Sequence, residues 1–546
     1  MAPSHQTPSQ VPKAGAAFDG LRAGFLESRH RFPNRSALEV DGQTLTFEAL
    51  HEQAAHLAAA LQRHAPKSDV RLTAVLAARS VTAFAGVLAA LYRGHGYVPL
   101  NPLFPTDRSR AMLVRSGARS LVVDRRGTQR LDEVLTGVPE PLLIVMPDAT
   151  DIEEWQTRWP QHQFKSAAEA VDCASVYEPV EPADVAYLLF TSGSTGVPKG
   201  VGVTHGNALA LLDTLLSRYG ITEHDRFSQT FDFTFDLSVF DMFMAWARGA
   251  CVCCPSAKTL LSPGQFVRDR RITVWFSVPS VGVYIKRMGL LKPGQFPTLR
   301  WSLFCGEPLP SDVARAWAAA APGSIVENLY GPTELTVACS VHRWDRDGTG
   351  AVTDWVPIGH PFDGMRALIV DEALQPVVPG ECGELLMTGP QLTPGYWNDP
   401  DRTRQAFVVP PAEREVFYRT GDLVRQAAPD APMTFVGRRD SQVKVNGYRV
   451  ELGEVEAALR TAGQVDVAVA LAWPRTSSGA GGLVGFVEAS SVAVDALRTR
   501  LLETLPGYMV PRHIYPLDRF PLNANGKVDR QQLVTWLEVE HEQRVG

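Results

Sequence analysis

Apolar runs at Leu72–Ala77, Tyr97–Leu100 and Ser120–Val123 lack polar alternation, and the segments between them, Thr82–Tyr92 and Arg108–Ser116, carry helical periodicity. Strands apolar on both faces and joined by helices predict a parallel sheet covered by helices. Upstream, Phe18–Ala65 reads as helix, short hairpin (Ser36–Thr46) and a second helix that the Thr46 hydroxyl can cap. Pro99 and Pro102 end the strand that reaches them. Pro139–Pro182 is largely polar and Pro-rich, and is expected to separate this first α/β half from a second one. A helix is predicted over Asn207–Tyr219, and a βαβ unit from Thr273 through Leu299–Pro310 to Asn328–Glu334. The remainder turns β-rich at Ala367–Val370, Gly383–Thr388, Tyr418–Arg425 and Met433–Glu456. After Asp440 a compact βαββα order runs to about Leu537. The expected division is a disordered tail over residues 1–17, a core domain over 18–438 and a small α+β domain over 441–546.

One polar stretch interrupts this pattern in an informative way. Val185–Phe190 is apolar, Thr191, Ser192, Gly193, Ser194, Thr195, Gly196, Val197, Pro198, Lys199 and Gly200 come next, and a second apolar run begins at Val201. Glycines let backbone N–H groups approach a ligand, the hydroxyls add donors and Lys199 adds positive charge, which suits a polyphosphate. A flexible Gly/Ser linker would not sit between two apolar runs or carry a Pro-Lys pair. Pro198 and Gly200 flank the lysine where a Walker A loop needs Gly and Ser/Thr, so a nucleotide would be held by a different fold.

Composition narrows the class. The net charge is -6 with both signs interspersed, which excludes a nucleic-acid footprint. The N-terminal residues have no apolar segment of the kind a signal peptide needs, and Arg79 and Ser80 interrupt the longest apolar stretch, Leu72–Leu91. Seven cysteines without framework spacing fit a reducing cytoplasm. Cys251, Cys253 and Cys254 have no nearby histidine and read as strand thiols before they read as a zinc site.

Acids among aromatics mark further candidates. Phe227–Ala250 holds Asp232, Asp236 and Asp241; capping a turn or helix explains Asp232 and Asp241. In Asn328–Glu334, Tyr330 can stack a base, Gly331 and Pro332 set a turn, Thr333 offers a hydroxyl and Glu334 a metal-binding carboxylate. Asp422 follows a glycine at a strand start, where a carboxylate can accept both hydroxyls of a ribose. Pro521–Arg530 presents Lys527 in a polar turn.

In this order TSGSTGVPKG, Gly306-Glu307-Pro308, YGPTE, YRTGD, GRRDSQVKVNGYRVELGE and NGKVDR resemble the adenylate-forming superfamily, which includes acyl- and aryl-CoA ligases, luciferases and the adenylation domains of nonribosomal peptide synthetases. With LTFEAL the resemblance spans Leu45–Arg530, and stand-alone D-alanyl carrier protein ligases are similar at Phe235–Val239, Pro279–Ser280, Phe304–Glu307 and Tyr330–Glu334. The resemblance implies a large N-terminal domain of layered sheets and helices with a small, mobile α+β lid. It implies ATP and Mg2+, with amino-acid activation as aminoacyl-AMP and transfer to the phosphopantetheine thiol of a separate carrier protein. A cytoplasmic monomer is expected.

Residue roles are implied by the same resemblance. Thr191, Ser192, Gly193, Ser194, Thr195 and Lys199 would hold the β- and γ-phosphates, Thr333 the α-phosphate and Glu334 the metal. Tyr330 and Gly331 would lie against adenine with Gly306, Glu307, Pro308 and Asn328 at its edge, and Asp422 and Arg438 on the ribose. Lys527 would be the main catalytic cation, bridging substrate carboxylate and phosphate. The small domain would then rotate about Asp440, withdrawing Lys527 and bringing Lys444–Gly447 to the thiol tunnel, where Gly447 keeps the passage narrow but open. Asp236 would pair with the substrate α-ammonium, in a pocket lined by Leu237, Phe240, Phe276, Leu303, Cys305, Leu329, Val337 and Ala338. No second charge and several bulky side chains predict glycine, with alanine next. An acyl-CoA synthetase using free coenzyme A is the alternative that Asp236 argues against. A catalytically silent scaffold would be expected to lack Lys527 or Glu334, and both are present.

Overall fold

The computed structural model describes residues 18–66, 68–167, 177–193, 198–256, 259, 262–346, 354–476, 479–489, 492–522 and 528–545, with backbone only at 475, 476, 479 and 541–545. The tail 1–17, Ser194, Thr195 and Lys527 lie outside the described residues.

The apolar runs become the strands of two large sheets. The first is ordered Gln163–Lys165, Leu143–Val145, Ser120–Val123, Leu72–Leu76, Gly96–Leu100, Val185–Thr191, Lys199–Thr204. Every pairing is parallel except the last, in which the chain turns back through the phosphate-loop region so that Thr191 faces Lys199. Pro139–Pro182 is therefore not a separator. Its apolar residues Leu142–Met146 are buried, add an inner strand, and with Gln163–Lys165 complete one edge of the same sheet.

The second sheet has nine strands, with Ser36–Val40, Cys251–Cys253, Arg226–Ser228, Val274–Ser277, Trp301–Phe304 and Ile325–Tyr330 parallel in its centre. Helices Phe47–His64, Val81–Tyr92, His205–Tyr219 and Leu237–Trp246 contribute to the shared core that also takes side chains from both sheets. Capping follows the sequence: Thr46 accepts from the Ala49 N–H at 3.1 Å, and Thr204 forms a capping box with Asn207 that starts its helix at His205.

One expected cap fails. Asp232 does cap a turn, accepting from the Thr234 N–H and hydroxyl and from Asn101. Asp241 instead lies inside helix Leu237–Trp246, fully buried, and neither carboxyl oxygen has a hydrogen-bond partner among the described residues. Burial drives its pKa well up, so it is carried as the neutral acid.

A third sheet, of Arg366–Val370, Cys382–Thr388, Phe407–Val408, Phe417–Arg425 and Thr434–Arg438, ends at Arg438. Residues beyond Asp440 form a lobe with its own sheets and two apolar cores. Its order is richer than the expected βαββα: a hairpin (Gln442–Val445, Tyr448–Glu451) precedes helix Leu452–Gly463, and the last helix, Arg530–Val545, continues past Leu537.

Candidate functional site

The carboxyl ends of Val185–Thr191, Trp301–Phe304 and Ile325–Tyr330 open on a cleft, the edge at which open α/β sheets place ligands. Thr191, Ser192, Asp236, Leu237, Cys305, Gly306, Tyr330, Gly331, Thr333, Val337, Asp422 and Arg438 line it from one side. Lys444, Gly447, Tyr448 and Arg449 close it from the C-terminal lobe.

Asp236 is buried at the head of helix Leu237–Trp246 but makes no cap hydrogen bond, leaving its carboxylate for the cleft. Burial raises its pKa to about 6, opposed by the Thr333 hydroxyl and by the charge of Lys444. Such a group gains most from a cation delivered to it. Behind the wall, Phe240 and Phe276 pack ring to ring at 4.6 Å, and Phe276 meets Phe231 at 5.3 Å. Phe240, Phe276, Leu303, Leu329 and Ala338 were expected to line the pocket but stand behind it, packed into the core.

Glu334 is the most heavily engaged acid. Its Oε1 accepts from Lys199 Nζ at 3.2 Å and from the Tyr396 hydroxyl at 2.8 Å, and its Oε2 pairs with Arg449 Nη1 at 3.0 Å. Although burial opposes ionisation, Arg449 and Lys199 hold the carboxyl well below the usual carboxylate range. An ionised oxygen donor fits a hard divalent cation. A metal on this carboxylate would share oxygens that already accept from Lys199 and Tyr396 on Oε1 and from Arg449 on Oε2. Lys199, expected on the phosphates, here buttresses Glu334 and lies over the Tyr396 ring at 4.7 Å.

The remaining expected contacts divide. Asp422 Oδ2 accepts from the Tyr330 hydroxyl at 2.5 Å and Oδ1 is paired with Arg438, which also holds Asp440 at 2.7 Å. Thr191 Oγ1 has no hydrogen-bond partner among the described residues. Ser192 Oγ donates to the Arg449 carbonyl at 2.7 Å, and the Gly193 N–H donates to Glu454 at 3.3 Å. Glu307 takes the Ser280 N–H at 2.8 Å and the Gly447 N–H at 2.5 Å. Asn328 spends its amide N–H groups on the carbonyls of Val356 and Pro357 and, like Glu307 and Pro308, lies off the cleft wall.

A second cavity runs beside the first, between Phe231, Phe235, Trp275 and Val278 on one side and Asn446 and Tyr448 on the other. Gly447, at φ +83°, lines the first cleft so close to Val278 that a Cβ would lie 2.3 Å from Val278 Cγ1. Sequence reasoning missed Arg449, Glu454 with its buried partner Arg108 at 2.6 Å, and Tyr396. Arg449 stands within NGYRVELGE, as a charged residue beside buried Val450 in a short strand; that was the available signal. At the opposite sheet end, Glu39, Cys251 and Cys253 come within 4.8 Å of one another, but Glu39 is held by Arg226 and Arg270. The six described cysteines are free thiols. Among the described residues no helix is long and apolar enough to cross a membrane.

A cleft between a layered α/β body and a small lobe, with a hydroxyl- and glycine-bearing turn facing an acid on a Tyr-Gly-Pro-Thr-Glu strand end, defines an adenylate-forming fold. The chain belongs to the AMP-binding enzyme family, whose sequence profile matches residues 25–397. It is similar to the L-proline--[L-prolyl-carrier protein] ligase of Pseudomonas fluorescens, 33% identical over 95% of this chain and 99% of that one. It is 34% identical to surfactin synthase subunit 2 of Bacillus subtilis over 97% of this chain, but spans only 14% of that protein's length. Among solved structures, the Vibrio cholerae adenylation domain AlmE in complex with glycyl-adenosine-5'-phosphate superposes with a TM-score of 0.85, at 30% identity over 96% of this chain and 99% of that one.

Proposed function

We propose that the protein activates a small amino acid, glycine before alanine, as aminoacyl-AMP and passes it to the phosphopantetheine thiol of a separate carrier protein. The observation that carries the reading is Asp236, a buried carboxylate without a side-chain cap bond, in a cleft whose wall at Leu237 is backed by the packed Phe240–Phe276 pair. The glycyl-adenylate in the related AlmE structure supports the same size of substrate.

In the first step the amino-acid carboxylate attacks the α-phosphorus of ATP and pyrophosphate leaves, giving a mixed anhydride. Asp236 holds the α-ammonium and thereby fixes where the carboxylate points. We assign Thr191, whose hydroxyl has no partner among the described residues, and Thr333 to donate to phosphate oxygens. Tyr330, Asp422 and Arg438 bind the nucleoside, and Lys527 spans the reacting anions. A magnesium ion on Glu334 would neutralise phosphate charge when bound. In the second step the carrier thiolate attacks the acyl carbon and AMP leaves. We assign Lys444 and Gly447 to that step, with residues 441–546 turning about Asp440 and the second cavity admitting the thiol arm.

Amino-acid-dependent exchange of pyrophosphate into ATP, run over all common amino acids in both configurations, tests the reading. Glycine is expected to give the fastest exchange and alanine the next. Exchange with large side chains only would overturn the pocket assignment, and none with any amino acid would overturn the activity. Free coenzyme A as an efficient acceptor would favour the acyl-CoA synthetase alternative.

A further inference from the structure

Cys251 and Cys253 stand two apart on one strand, so their side chains share a face of the sheet, and their Sγ atoms lie 3.9 Å apart. On the neighbouring parallel strand Ser36–Val40, Glu39 is in register with Cys253 and brings a carboxylate oxygen within 4.8 Å of both sulfurs. Arg226 at 2.8 Å and Arg270 at 3.2 Å both hold Glu39 Oε2, which leaves Oε1 without a partner among the described residues. None of the three donors lines the cleft, and the proposed function uses none of them.

The spacing of the sulfurs suits a shared ion better than a bond between them. Strand residues two apart are separated by about 6.6 Å at Cα, near the upper limit that a disulfide spans. Two thiolates bound tetrahedrally to one zinc ion at about 2.3 Å sit about 3.8 Å from each other, close to the 3.9 Å found here. A thiol–thiol hydrogen bond accounts for the sulfurs alone, and not for the carboxylate oxygen that stands beside them with no protein donor. The charge balances as well. A divalent cation displaces two thiol protons, so the net charge of the site is unchanged, and Arg226, in register with Cys251 on the other side of its strand, and Arg270 remain to offset the anionic ligands. Glu39 also lines a surface cavity with His224, Arg226, Asp269 and Arg270, which gives an ion a way in and a water for its fourth position.

We propose that Glu39, Cys251 and Cys253 form a zinc site, completed by solvent, that ties the strand Ser36–Val40 to the strand Cys251–Cys253. Zinc suits this donor set because sulfur ligands select it over the harder divalent cations. The ligands come from distant parts of the chain and meet only in the folded state, so the ion acts on stability and raises the melting temperature by mass action. Amino-acid activation proceeds in the cleft without it.

Cobalt(II) is the probe, since its charge-transfer and d–d bands report thiolate ligation and tetrahedral geometry. Titrated into the reduced, metal-free full chain, it should produce both bands with release of about two protons per ion, and zinc should erase them. The double variant Cys251→Ser, Cys253→Ser should lose the thiolate band and the rise in melting temperature that zinc gives wild type. Glu39→Gln should keep the thiolate band but bind at least about tenfold more weakly. A wild type without the thiolate band, or a double variant that retains it, would overturn the proposal. Where a variant does not fold, zinc-edge X-ray absorption of wild type decides: two sulfurs at about 2.3 Å and two oxygens at about 2.0 Å are expected, and a shell without sulfur would overturn the site.

Discussion

The two walls of the cleft are built on opposite principles. Around Asp236 the wall is core: Leu237, Cys305 and Val337 are backed by Phe240, Phe276, Leu303 and Leu329, all buried in the packed layer between the sheets. Toward the C-terminal lobe the wall is a set of exchangeable polar pairs: Arg449 on Glu334, Glu454 on the Gly193 N–H, and the Gly447 N–H on Glu307. A dry, close-packed wall holds one shape and so can discriminate between substrates. Ion pairs and hydrogen bonds can trade one partner for another at little net cost, and so can move. Under the proposed function, choice of substrate belongs to the packed wall and movement to the polar one.

The sharpest way to break the contrast is to remove the charge from the rigid wall. Asp236→Asn should lower amino-acid-dependent exchange by roughly a thousandfold, the scale of stranding a buried charge. The same variant should melt at a higher temperature than wild type at pH 8 without ligand. The sign comes from the raised pKa: between about 4 and 6 the folded protein binds the extra proton, so wild-type stability falls as pH rises through that window. Unchanged exchange would refute the ammonium pairing. Lys527→Ala, a change in the sequence after Asp440, should cut exchange by about a hundredfold or more with the fold intact, as removing a transition-state donor does; retained exchange would take Lys527 out of the first step.

Gly447→Ala sharpens the comparison from the other direction. The added Cβ meets Val278 and the residue sits at φ +83°, so transfer to a carrier thiol should fall roughly tenfold while exchange stays near wild type. Equal loss in both assays would mean that the two steps share this contact. Cys305→Gly should let alanine or serine compete with glycine, shifting the specificity ratio by about tenfold, the worth of a methylene or two in a pocket. The smallest effect is in pH: the KM for glycine should rise as pH falls below about 6, where Asp236 takes up a proton, with kcat far less affected.

Much of the architecture was legible in the sequence. The parallel strands and their helices announced themselves because buried runs such as Leu72–Leu76 and Tyr97–Leu100 allow no other placement, and the Thr46 cap fell where a hydroxyl precedes apolar periodicity, whereas the Thr204 capping box starts its helix two residues before the expected Asn207. Asp236, Cys305, Tyr330 and Asp422, singled out in the sequence, line the cleft. What sequence could not supply was depth: Phe240 and Leu237 share one helix, yet only Leu237 touches the cleft, because a helical turn sets which residue of an apolar run faces outward. Nor could it supply partners distant along the chain. Arg449 meets Glu334, and Glu454 meets both Arg108 and Gly193, only through tertiary packing. The polar, Pro-rich look of Pro139–Pro182 hid two short strands, since three apolar residues suffice for the inner strand Leu143–Val145 and one, Phe164, for the edge strand Gln163–Lys165 that the sheet already templates.

Asp241, enclosed in its helix, carries a proton that the unfolded chain at neutral pH would surrender to solvent, because an ordinary aspartate titrates near 4. Each melting event therefore liberates acid. Scanning calorimetry in phosphate and in Tris should give different apparent heats at the same pH, the gap reflecting the buffers' own enthalpies of protonation. Asp241→Asn should narrow that gap, and should also blunt the loss of melting temperature as the medium is made more alkaline.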